Sequence, residues 1–397
     1  MSEPIRVVVA DDSAFIRGLI VSYLQSTGGF EIVGTAEDGK QAAELVHQLR
    51  PDVVTLDVDM PVMSGLEALD QIMRQTPTPV VMVSGVSIRS AEITLKAIQA
   101  GAVDFVLKYV PGAKVNPEEI RLDVISKVRA AAGVRVVRTI PNHLGQSSPA
   151  SQVTPTAAQL SANGDASKRV SGARTKSSKV VNGDSVRELI VVGASTGGPI
   201  AIKRFLGSLP ANFAGAIVVV QHIPQPFTAV LAAQLTAQTP FTAEVVEDGD
   251  HLQARHIFIA PGDRHLLLNP GLRLELHDGE PIRGNRPSID VTMKSIAQCF
   301  PYQVHGVLLT GMGDDGATGL AYIRSKGGTT YAQSGETCVV NGMPQRAIDI
   351  GAVDFVASPE GIAERLTQES MRHNVSSGSL VAANATGTHE RDLIWRI

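Results

Sequence analysis

This chain lacks the closely spaced cysteine pairs that are typical of disulfide-rich secreted proteins. It also lacks the long apolar runs that are typical of membrane proteins. Its only cysteines, Cys299 and Cys338, form no C-x-x-C pair, and free cysteines are typically small buried hydrophobes. No apolar stretch approaches the roughly 20 residues of a membrane-spanning helix, and the acids at residues 11–12 precede any long apolar run. We therefore expect a cytoplasmic protein of a reducing compartment, with no disulfide framework and no direct membrane insertion.

A strong excess of positive charge is also absent. The net charge is -4 and charged residues make up 19% of the chain, so nucleic acid is not an expected partner. Hydrophobic residues make up 43%, which suits a globular protein. Because 397 residues exceed the size at which a single core keeps growing, the length predicts two domains.

Residues 1–138 alternate short β-branched runs with helical patterns. Strands are predicted at residues 6–10, 31–35, 52–56, 80–84 and 104–108. Strands that alternate with single helices form a parallel sheet through right-handed crossovers, so the pattern predicts a flavodoxin-like, doubly wound α/β domain. Ligands of such a domain bind beyond the carboxyl ends of its strands.

The composition changes twice in the rest of the chain. Residues 139–186 are small and polar with scattered basic side chains, which predicts a flexible linker. Residues 187–371 resume the α/β alternation and predict a second doubly wound, Rossmann-like domain; residues 372–397 are predicted to be a disordered tail. Strands of the second domain are predicted at residues 188–193, 216–221, 256–260, 306–310 and 329–333.

Charged and hydroxyl side chains gather at the predicted carboxyl edge of the first sheet. They are Asp11 and Asp12 after the first strand, Asp57, Ser84 and Lys108. Adjacent carboxylates need a cation to share their charge, and hard oxygen ligands suit Mg²⁺. Asp57 is then placed to attack a phosphoryl group, with Lys108 neutralising charge and Ser84 donating a hydrogen bond to a phosphoryl oxygen.

In this order, these residues resemble the receiver domain of two-component response regulators. The resemblance covers about residues 4–130 and includes LDVDMPVMSGLE at residues 56–67 and VDFVLK at residues 103–108. The family usually has proline directly after the lysine of the second motif, whereas Tyr109 and Val110 follow it here. The resemblance implies phosphorylation of the aspartate in the first motif, with Mg²⁺ as the cofactor.

A serine occupies a glycine-rich turn after the first strand of the second domain. Residues 193–199 read GASTGGP, which fits G-x-S-x-G and projects Ser195 beyond the sheet, where N–H groups of the next helix face a developing oxyanion. A glycine-rich turn also suits phosphate binding, but the Walker lysine is missing. His222 follows a strand at the same edge and is the best-placed base. Other histidines lack that relation: His251, His256, His265, His277 and His305.

An acid that orients the histidine is expected at the same edge. GMGDDG at residues 311–316 follows a predicted strand and offers Asp314 and Asp315, between which spacing does not decide. The chain order serine, histidine, aspartate differs from that of α/β-hydrolases. The pattern therefore does not indicate a member of that superfamily.

Residues 187–370 resemble the catalytic domain of the chemotaxis protein-glutamate methylesterase family. The matching motifs are GASTGGP at residues 193–199, QHIP at 221–224, APG at 260–262, RPSID at 286–290, TGMGDDG at 310–316 and GMP at 342–344. The resemblance implies that Asp315, rather than Asp314, is the acid. It also places Met312 at a family position beside the active site, for which a loop residue that packs on the sheet is the alternative. Thr196 and Gly197, in the serine turn itself, are the candidate oxyanion and near-site residues.

Together the two resemblances imply a phosphorylation-activated enzyme of chemosensory adaptation. Its substrates would be glutamate methyl esters, and selected glutamines, on methyl-accepting chemotaxis receptors. A chemotaxis histidine kinase would donate the phosphoryl group, and the protein would be recruited to membrane receptor arrays. The hydrolase is expected to need no cofactor, and the unphosphorylated receiver is expected to cover the hydrolase cleft.

Three other functions compete with this interpretation. A phosphate sink or adaptor with an inactive hydrolase fold is opposed by the intact serine, histidine and aspartate. A DNA-binding output domain is opposed by the lack of a helix-turn-helix pattern or basic face. A general esterase or peptidase is distinguished by its turnover of small esters compared with methylated receptors.

Overall fold

The computed structural model describes residues 3–108, 117–134 and 186–370. The predicted linker, up to residue 185, and the predicted tail lie outside the described residues. So does the segment after Lys108 in which the sequence departs from the receiver pattern. The domain, linker and tail boundaries therefore stay predictions.

Five strands and five helices alternate in the first part of the chain. They are β1 (Ile5–Ala10), α1 (Ala14–Thr27), β2 (Phe30–Ala36), α2 (Gly39–Leu49), β3 (Val53–Asp57), α3 (Gly65–Gln75), β4 (Val80–Ser84), α4 (Ile88–Gln99), β5 (Asp104–Leu107) and α5 (Pro117–Ala132). All pairings are parallel, in the order β2-β1-β3-β4-β5. This order confirms the flavodoxin-like prediction and puts the change of winding direction between β1 and β3.

Side-chain caps begin four of these helices. Ser13, Asp38 and Ser87 each accept a hydrogen bond from the backbone N–H three residues further on, at the starts of α1, α2 and α4. Helix α3 begins with a capping box between Ser64 and Glu67. Each such cap stabilises its helix by about 1 kcal/mol. The capping residues therefore determine where these helices begin.

The first sheet is buried on both faces. Alternate residues of β1 belong to two different cores, Val8 on the side of α2, α3 and α4 and Val7 and Val9 on the side of α1 and α5. Strands β3 and β4 are buried along their whole length. Polar ligands therefore have access to this sheet only at its strand ends.

The second part of the chain forms a larger parallel sheet. Its elements are β6 (Glu188–Ala194), α6 (Gly198–Gly207), β7 (Ala216–Gln221), α7 (Gln225–Gln238), β8 (Thr242–Val245), β9 (Asp250–His251), β10 (His256–Ile259), β11 (His265–Leu268), β12 (Arg273–His277), α8 (Ile289–Cys299), β13 (Gln303–Leu308), α9 (Ala317–Ser325), β14 (Thr329–Gln333), a short 3₁₀ helix (Gly335–Thr337), α10 (Gly342–Asp349), β15 (Phe355–Ala357) and α11 (residues 359–370). The parallel order is β15-β14-β13-β6-β7-β10-β8, which confirms the Rossmann-like prediction. Across the described ranges, every helix is too short or too polar to cross a bilayer.

Five strands of this part were not predicted. Edge strands β8 and β15 are short and partly exposed, so they lack the continuous apolar runs of the central strands. The others, β9, β11 and β12, form a small antiparallel sheet. The NPGL turn at residues 269–272 and the alternating RLELH at residues 273–277 are hairpin signals of a half-buried strand pair.

Strand β6 lies at the change of winding direction in the second sheet. It pairs with β7 on one side, where Ala194 faces Gln221, and with β13 on the other, where Gly193 faces Leu308. The carboxyl ends of these three strands are therefore adjacent. In doubly wound sheets this is the place where ligands bind.

Candidate active site and phosphorylation site

Three carboxylates meet at the carboxyl edge of the first sheet. Asp11 and Asp57 are buried, Asp12 is exposed, and one oxygen of each lies within 4.8 Å of the others. Burial raises the pKa of Asp57 to about 6 and also raises that of Asp11, although Lys108 acts to lower both. Buried carboxylates that resist ionisation suit a cation that shares their charge, and all three offer the hard oxygens that Mg²⁺ prefers.

Lys108 reaches into this group from the end of β5. Its Nζ lies 2.7 Å from Asp57 Oδ2 and 3.2 Å from Asp11 Oδ2. Burial acts to lower the pKa of Lys108, but attraction to the two carboxylates raises it overall. The lysine therefore stays cationic beside the carboxylate that would receive a phosphoryl group.

The backbone around Asp57 leaves no space for a side chain at Gly65, the first residue of α3. A Cβ atom there would lie 1.9 Å from the Asp57 carbonyl oxygen, and Gly65 N donates a hydrogen bond to Val58 O. Helix α3 thus begins directly against the strand end. This contact explains why serine is followed by glycine in the motif of this loop.

The predicted switch residue Ser84 is buried at the end of β4. Its hydroxyl donates to Gly85 O at 3.1 Å and accepts from Thr94 Oγ1 at 2.7 Å. Thr94 belongs to α4, so the Ser84 hydroxyl is hydrogen-bonded directly to that helix. The structure thus brings all five predicted residues of this site to one edge of the sheet.

The second site is built on the turn between β6 and α6. Ser195 follows β6, and Ser195 N donates to Thr310 O at 3.0 Å. Gly197 caps α6 with φ of 77°, and a Cβ atom there would lie 2.6 Å from Val339 Cβ. Glycine is required at this position because the left-handed conformation and the close neighbour both exclude a larger residue.

His222 and Asp315 form a hydrogen-bonded pair beside this turn. His222 Nε2 lies 2.9 Å from Asp315 Oδ2, and His222 N donates to Ala194 O at 3.1 Å. The Nε2 atom carries the proton when the carboxylate is its partner, so Nδ1 is the nitrogen available as a base. Among residues 186–370, no hydrogen bond joins the Ser195 hydroxyl to the His222 ring, a contact that often forms only with substrate.

The Asp315 carboxylate accepts four hydrogen bonds. Besides His222, its partners are Ser288 Oγ at 2.9 Å, Ile289 N at 2.8 Å and Asp290 N at 3.0 Å. Burial acts to raise the pKa of Asp315, but these donors and His222 together lower it below its usual value. The carboxylate therefore stays ionised at the start of α8, where the helix dipole also favours negative charge. Neighbouring Asp314 instead forms an exposed ion pair with Arg283.

Two buried side chains that received no role in the sequence interpretation hold the serine turn. Gln221 Nε2 donates to Ser195 O at 2.9 Å. Thr310 Oγ1 lies 3.0 Å from Thr196 O, and Thr310 N donates to Gln333 Oε1 at 2.8 Å. Gln221 stands in the QHIP motif and Thr310 begins TGMGDDG, so the motifs marked these positions without revealing what they contact.

The residues predicted to lie near the serine belong to two different loops. Thr196 is buried and follows the serine, whereas Met312 is exposed in the loop after β13. Gly311, at the start of that loop, has no space for a Cβ atom, which would lie 2.8 Å from Ser195 Cβ. The start of this loop therefore lies directly against the serine side chain.

Comparison with known families divides the chain in the same way. Residues 7–117 match the family described as response regulator receiver domain, and residues 190–366 match the family described as CheB methylesterase. A protein-glutamate methylesterase/protein-glutamine glutaminase of Symbiobacterium thermophilum is 39% identical over 370 residues, covering 93% of this chain and 98% of the relative. A protein of the same name from Haloarcula marismortui is 36% identical, covering 92% and 97%.

Two solved structures from Thermotoga maritima are also similar. The CheB methylesterase catalytic domain is 39% identical with a TM-score of 0.44, covering 45% of this chain and 97% of that domain. The CheB response regulator domain is 39% identical with a TM-score of 0.31, covering 34% of this chain and all (100%) of that domain.

Proposed function

The chain belongs to the protein-glutamate methylesterase/protein-glutamine glutaminase family, and from that premise we propose that it hydrolyses glutamate methyl esters, and deamidates selected glutamines, on chemotaxis receptors. The observation that carries the proposal is the His222–Asp315 pair beside Ser195. We assign the receiver to residues 1–138, the linker to 139–186 and the hydrolase to 187–371.

Ester hydrolysis begins with acylation of Ser195. Nδ1 of His222 takes the serine proton while Oγ attacks the ester carbonyl, and backbone N–H groups near Thr196 and Met312 face the oxyanion. The tetrahedral intermediate breaks its C–OCH₃ bond, and the imidazolium gives its proton to the leaving methoxide. Methanol departs and the glutamyl side chain stays on the serine. Asp315 holds the tautomer and stabilises the imidazolium throughout.

Deacylation repeats these steps with water. His222 takes a proton from water, which attacks the acyl carbon; the C–Oγ bond breaks, the serine receives that proton, and the glutamic acid side chain formed releases its remaining proton to solvent. A glutamine side chain passes through the same intermediates, with ammonia leaving in place of methanol. The carboxylate, the imidazole and the hydroxyl each have a role in this proposed cycle, which is written without a cofactor.

Phosphorylation is proposed to occur at Asp57. Asp11, Asp12 and Asp57 would hold Mg²⁺, which shares the negative charge of the incoming phosphoryl group. A chemotaxis histidine kinase would be the donor, and the receptor arrays that contain it would also supply the substrate. Lys108 would remain paired with the acyl phosphate.

Contacts between the receiver and the hydrolase support control by covering of the active site. Helix α4 packs against α7, and Gln99 Nε2 donates to Gln234 Oε1 at 3.0 Å. Val339, which also crowds Gly197 beside the nucleophile, packs against the core formed by β1, β4, α1 and α5 of the receiver. Release of the receiver on phosphorylation would therefore uncover the turn that carries Ser195.

The proposed function is tested by methanol release from radiomethylated chemoreceptor membranes, with and without acetyl phosphate and Mg²⁺. We expect release that increases with acetyl phosphate, is lost in Ser195→Ala, and no longer responds to acetyl phosphate in Asp57→Asn. Folded protein that releases no methanol under either condition would contradict the proposal and favour an adaptor. Turnover of small esters that exceeds turnover of receptors would indicate a general esterase.

A further inference from the structure

Helices α8 and α9 exchange carboxylate caps next to the catalytic pair. Asp315, two residues before α9, accepts hydrogen bonds from the first turn of α8, at Ile289 N and Asp290 N. Asp290, in the first turn of α8, in turn accepts hydrogen bonds from the start of α9. Each carboxylate therefore caps the helix to which the other belongs.

Within the described part of the chain, the hydrogen bonds that the Asp290 carboxylate accepts all come from residues 316–319, which follow the catalytic aspartate. Its Oδ1 accepts from Gly316 N at 3.0 Å and Gly319 N at 2.6 Å, and its Oδ2 accepts from Thr318 Oγ1 at 2.7 Å. Asp290 is 6% exposed. The N-cap of α9 is Gly316, which has no side chain to cap the helix, so the cap is supplied by α8.

The two helices have little freedom to slide past one another. A Cβ atom at Gly319 would lie 2.7 Å from Met293 Cβ and 3.2 Å from Asp290 Cα. Gly316 adopts φ of 91°, and a Cβ atom there would lie 2.8 Å from Ile289 Cγ2. Because hydrogen bonds to a buried, ionised carboxylate are among the stronger ones in a protein, breaking one cap loosens the segment that carries the other.

We infer that Asp290 is a positioning residue for the hydrolysis proposed above, on which this inference rests. Asp290 contacts no reacting atom. It holds residues 316–319 against α8, and so keeps the adjacent Asp315 carboxylate 2.9 Å from His222 Nε2. Loss of this cap lets the loop shift, and small displacements of a catalytic group have large effects on rate.

Asp354 provides a matched control in the same domain. Its carboxylate also accepts three hydrogen bonds, from Thr330 N at 3.0 Å, Thr330 Oγ1 at 2.9 Å and Arg324 Nε at 2.8 Å. Thr330 lies at the amino end of β14, the opposite edge of the sheet from Ser195, and Arg324 lies in the last turn of α9, away from residues 316–319. Asp354→Ala therefore removes a carboxylate with as many partners, without touching the active-site loops.

The test compares full-length Asp290→Ala, Asp290→Asn, Asp315→Ala, the double variant and Asp354→Ala by kcat, KM and melting temperature. For Asp290→Ala we expect kcat to fall about tenfold to a hundredfold with KM nearly unchanged. In the double variant kcat should equal that of Asp315→Ala alone, because Asp290 acts through Asp315. Asp290→Asn should recover most of kcat, since its amide oxygen still accepts from Gly316 and Gly319.

A spectroscopic measurement keeps the inference independent of the substrate. In protein with ¹⁵N-labelled histidine, the proton on His222 Nε2 should give a downfield resonance that Asp290→Ala and Asp315→Ala both remove and Asp354→Ala leaves in place. Retention of this signal in Asp290→Ala, or a kcat loss that multiplies with that of Asp315→Ala, would overturn the inference. Failure of the proposed function appears differently, as wild-type protein that shows the resonance but releases no methanol.

Discussion

The ring of Phe105 in β5 lies flat against the ring of Phe227 in α7, with centroids 4.3 Å apart and planes inclined by 10°. Lys127 lies over the Phe105 ring, 5.2 Å from its centroid, and donates to Phe105 O. Phe105 lies three positions before Lys108, which directly follows β5. A rearrangement at the proposed phosphorylation site would therefore reach this contact along β5.

We expect Phe227→Leu to increase basal methanol release about twofold to tenfold. A ring pair contributes about 0.5–1.5 kcal/mol beyond its buried area, and its loss shifts the population towards the uncovered state by that factor. Release in the presence of acetyl phosphate should match that of the wild type. The measurement is initial rates with and without the phosphodonor.

Phe258→Leu is the control for this substitution. Phe258 is fully buried in β10 and belongs to a core made of hydrolase residues only. It should lower stability without raising basal release. Equal basal rates for the two variants would count against a covering role of the ring contact.

We expect Gly197→Ala to lower kcat at least about tenfold while the protein remains folded. The left-handed conformation costs a non-glycine residue about 1–2 kcal/mol, and the new methyl group would displace Val339 and the serine turn. Gly249→Ala is the control, since Gly249 has φ of 87° and open space around it. A similar loss of kcat in both variants would show that backbone strain, and not crowding beside Ser195, causes the loss.

Asp315 gives a pH dependence of stability with a defined sign. Its pKa in the folded protein lies below the ordinary value of 3.8, because the donors around it outweigh burial. It therefore stabilises the protein above about pH 4, and this contribution is lost as the pH falls through the lowered pKa. The difference in unfolding free energy between wild type and Asp315→Asn should shrink between pH 6 and pH 3 in urea titrations. The same titrations of Asp314→Asn, an exposed neighbour, should show a small difference throughout; a pH-independent difference for Asp315→Asn would contradict the assignment.

We expect Asp12→Asn to weaken Mg²⁺ binding at least about tenfold by calorimetry, because it removes the negative charge of one of the three carboxylates proposed to hold the ion. Asp59→Asn is the matched control, since Asp59 is an exposed acid whose backbone N–H, at 3.3 Å from Asp57 Oδ1, is its contact with the site. Equal affinities for the two variants would exclude Asp12 as a ligand.

Much of the fold follows from the sequence because the central strands are buried on both faces and are long apolar runs. All ten predicted strands are present within a few residues. The hairpin of β11 and β12 was missed even though RLELH alternates, because the alternation is short and lies outside the α/β pattern. Edge strands such as β15 have no long apolar run of their own. They can be identified only when the strand with which they pair is known.

Only part of each site could be predicted from the sequence. Strand ends of a doubly wound sheet converge, so Ser195 and His222 could be placed together from their order alone. The choice of Asp315 over Asp314 needed the family resemblance, and the structure gives its physical basis, since only Asp315 faces the start of α8. The roles of Gln221 and Asp290 depend on contacts between loops distant in the sequence, which no local pattern encodes.

The strand order of the second sheet has a consequence during synthesis. Glu188 in β6 is hydrogen-bonded to His305 in β13, which lies 117 residues later in the sequence. At ~5–20 residues per second, the ribosome needs about 10 s to deliver the missing neighbour, and until then one edge of β6 has no strand to pair with. The receiver sheet is complete before β6 emerges. During that interval we expect the open edge of β6 to be a site at which the nascent hydrolase can pair with another chain.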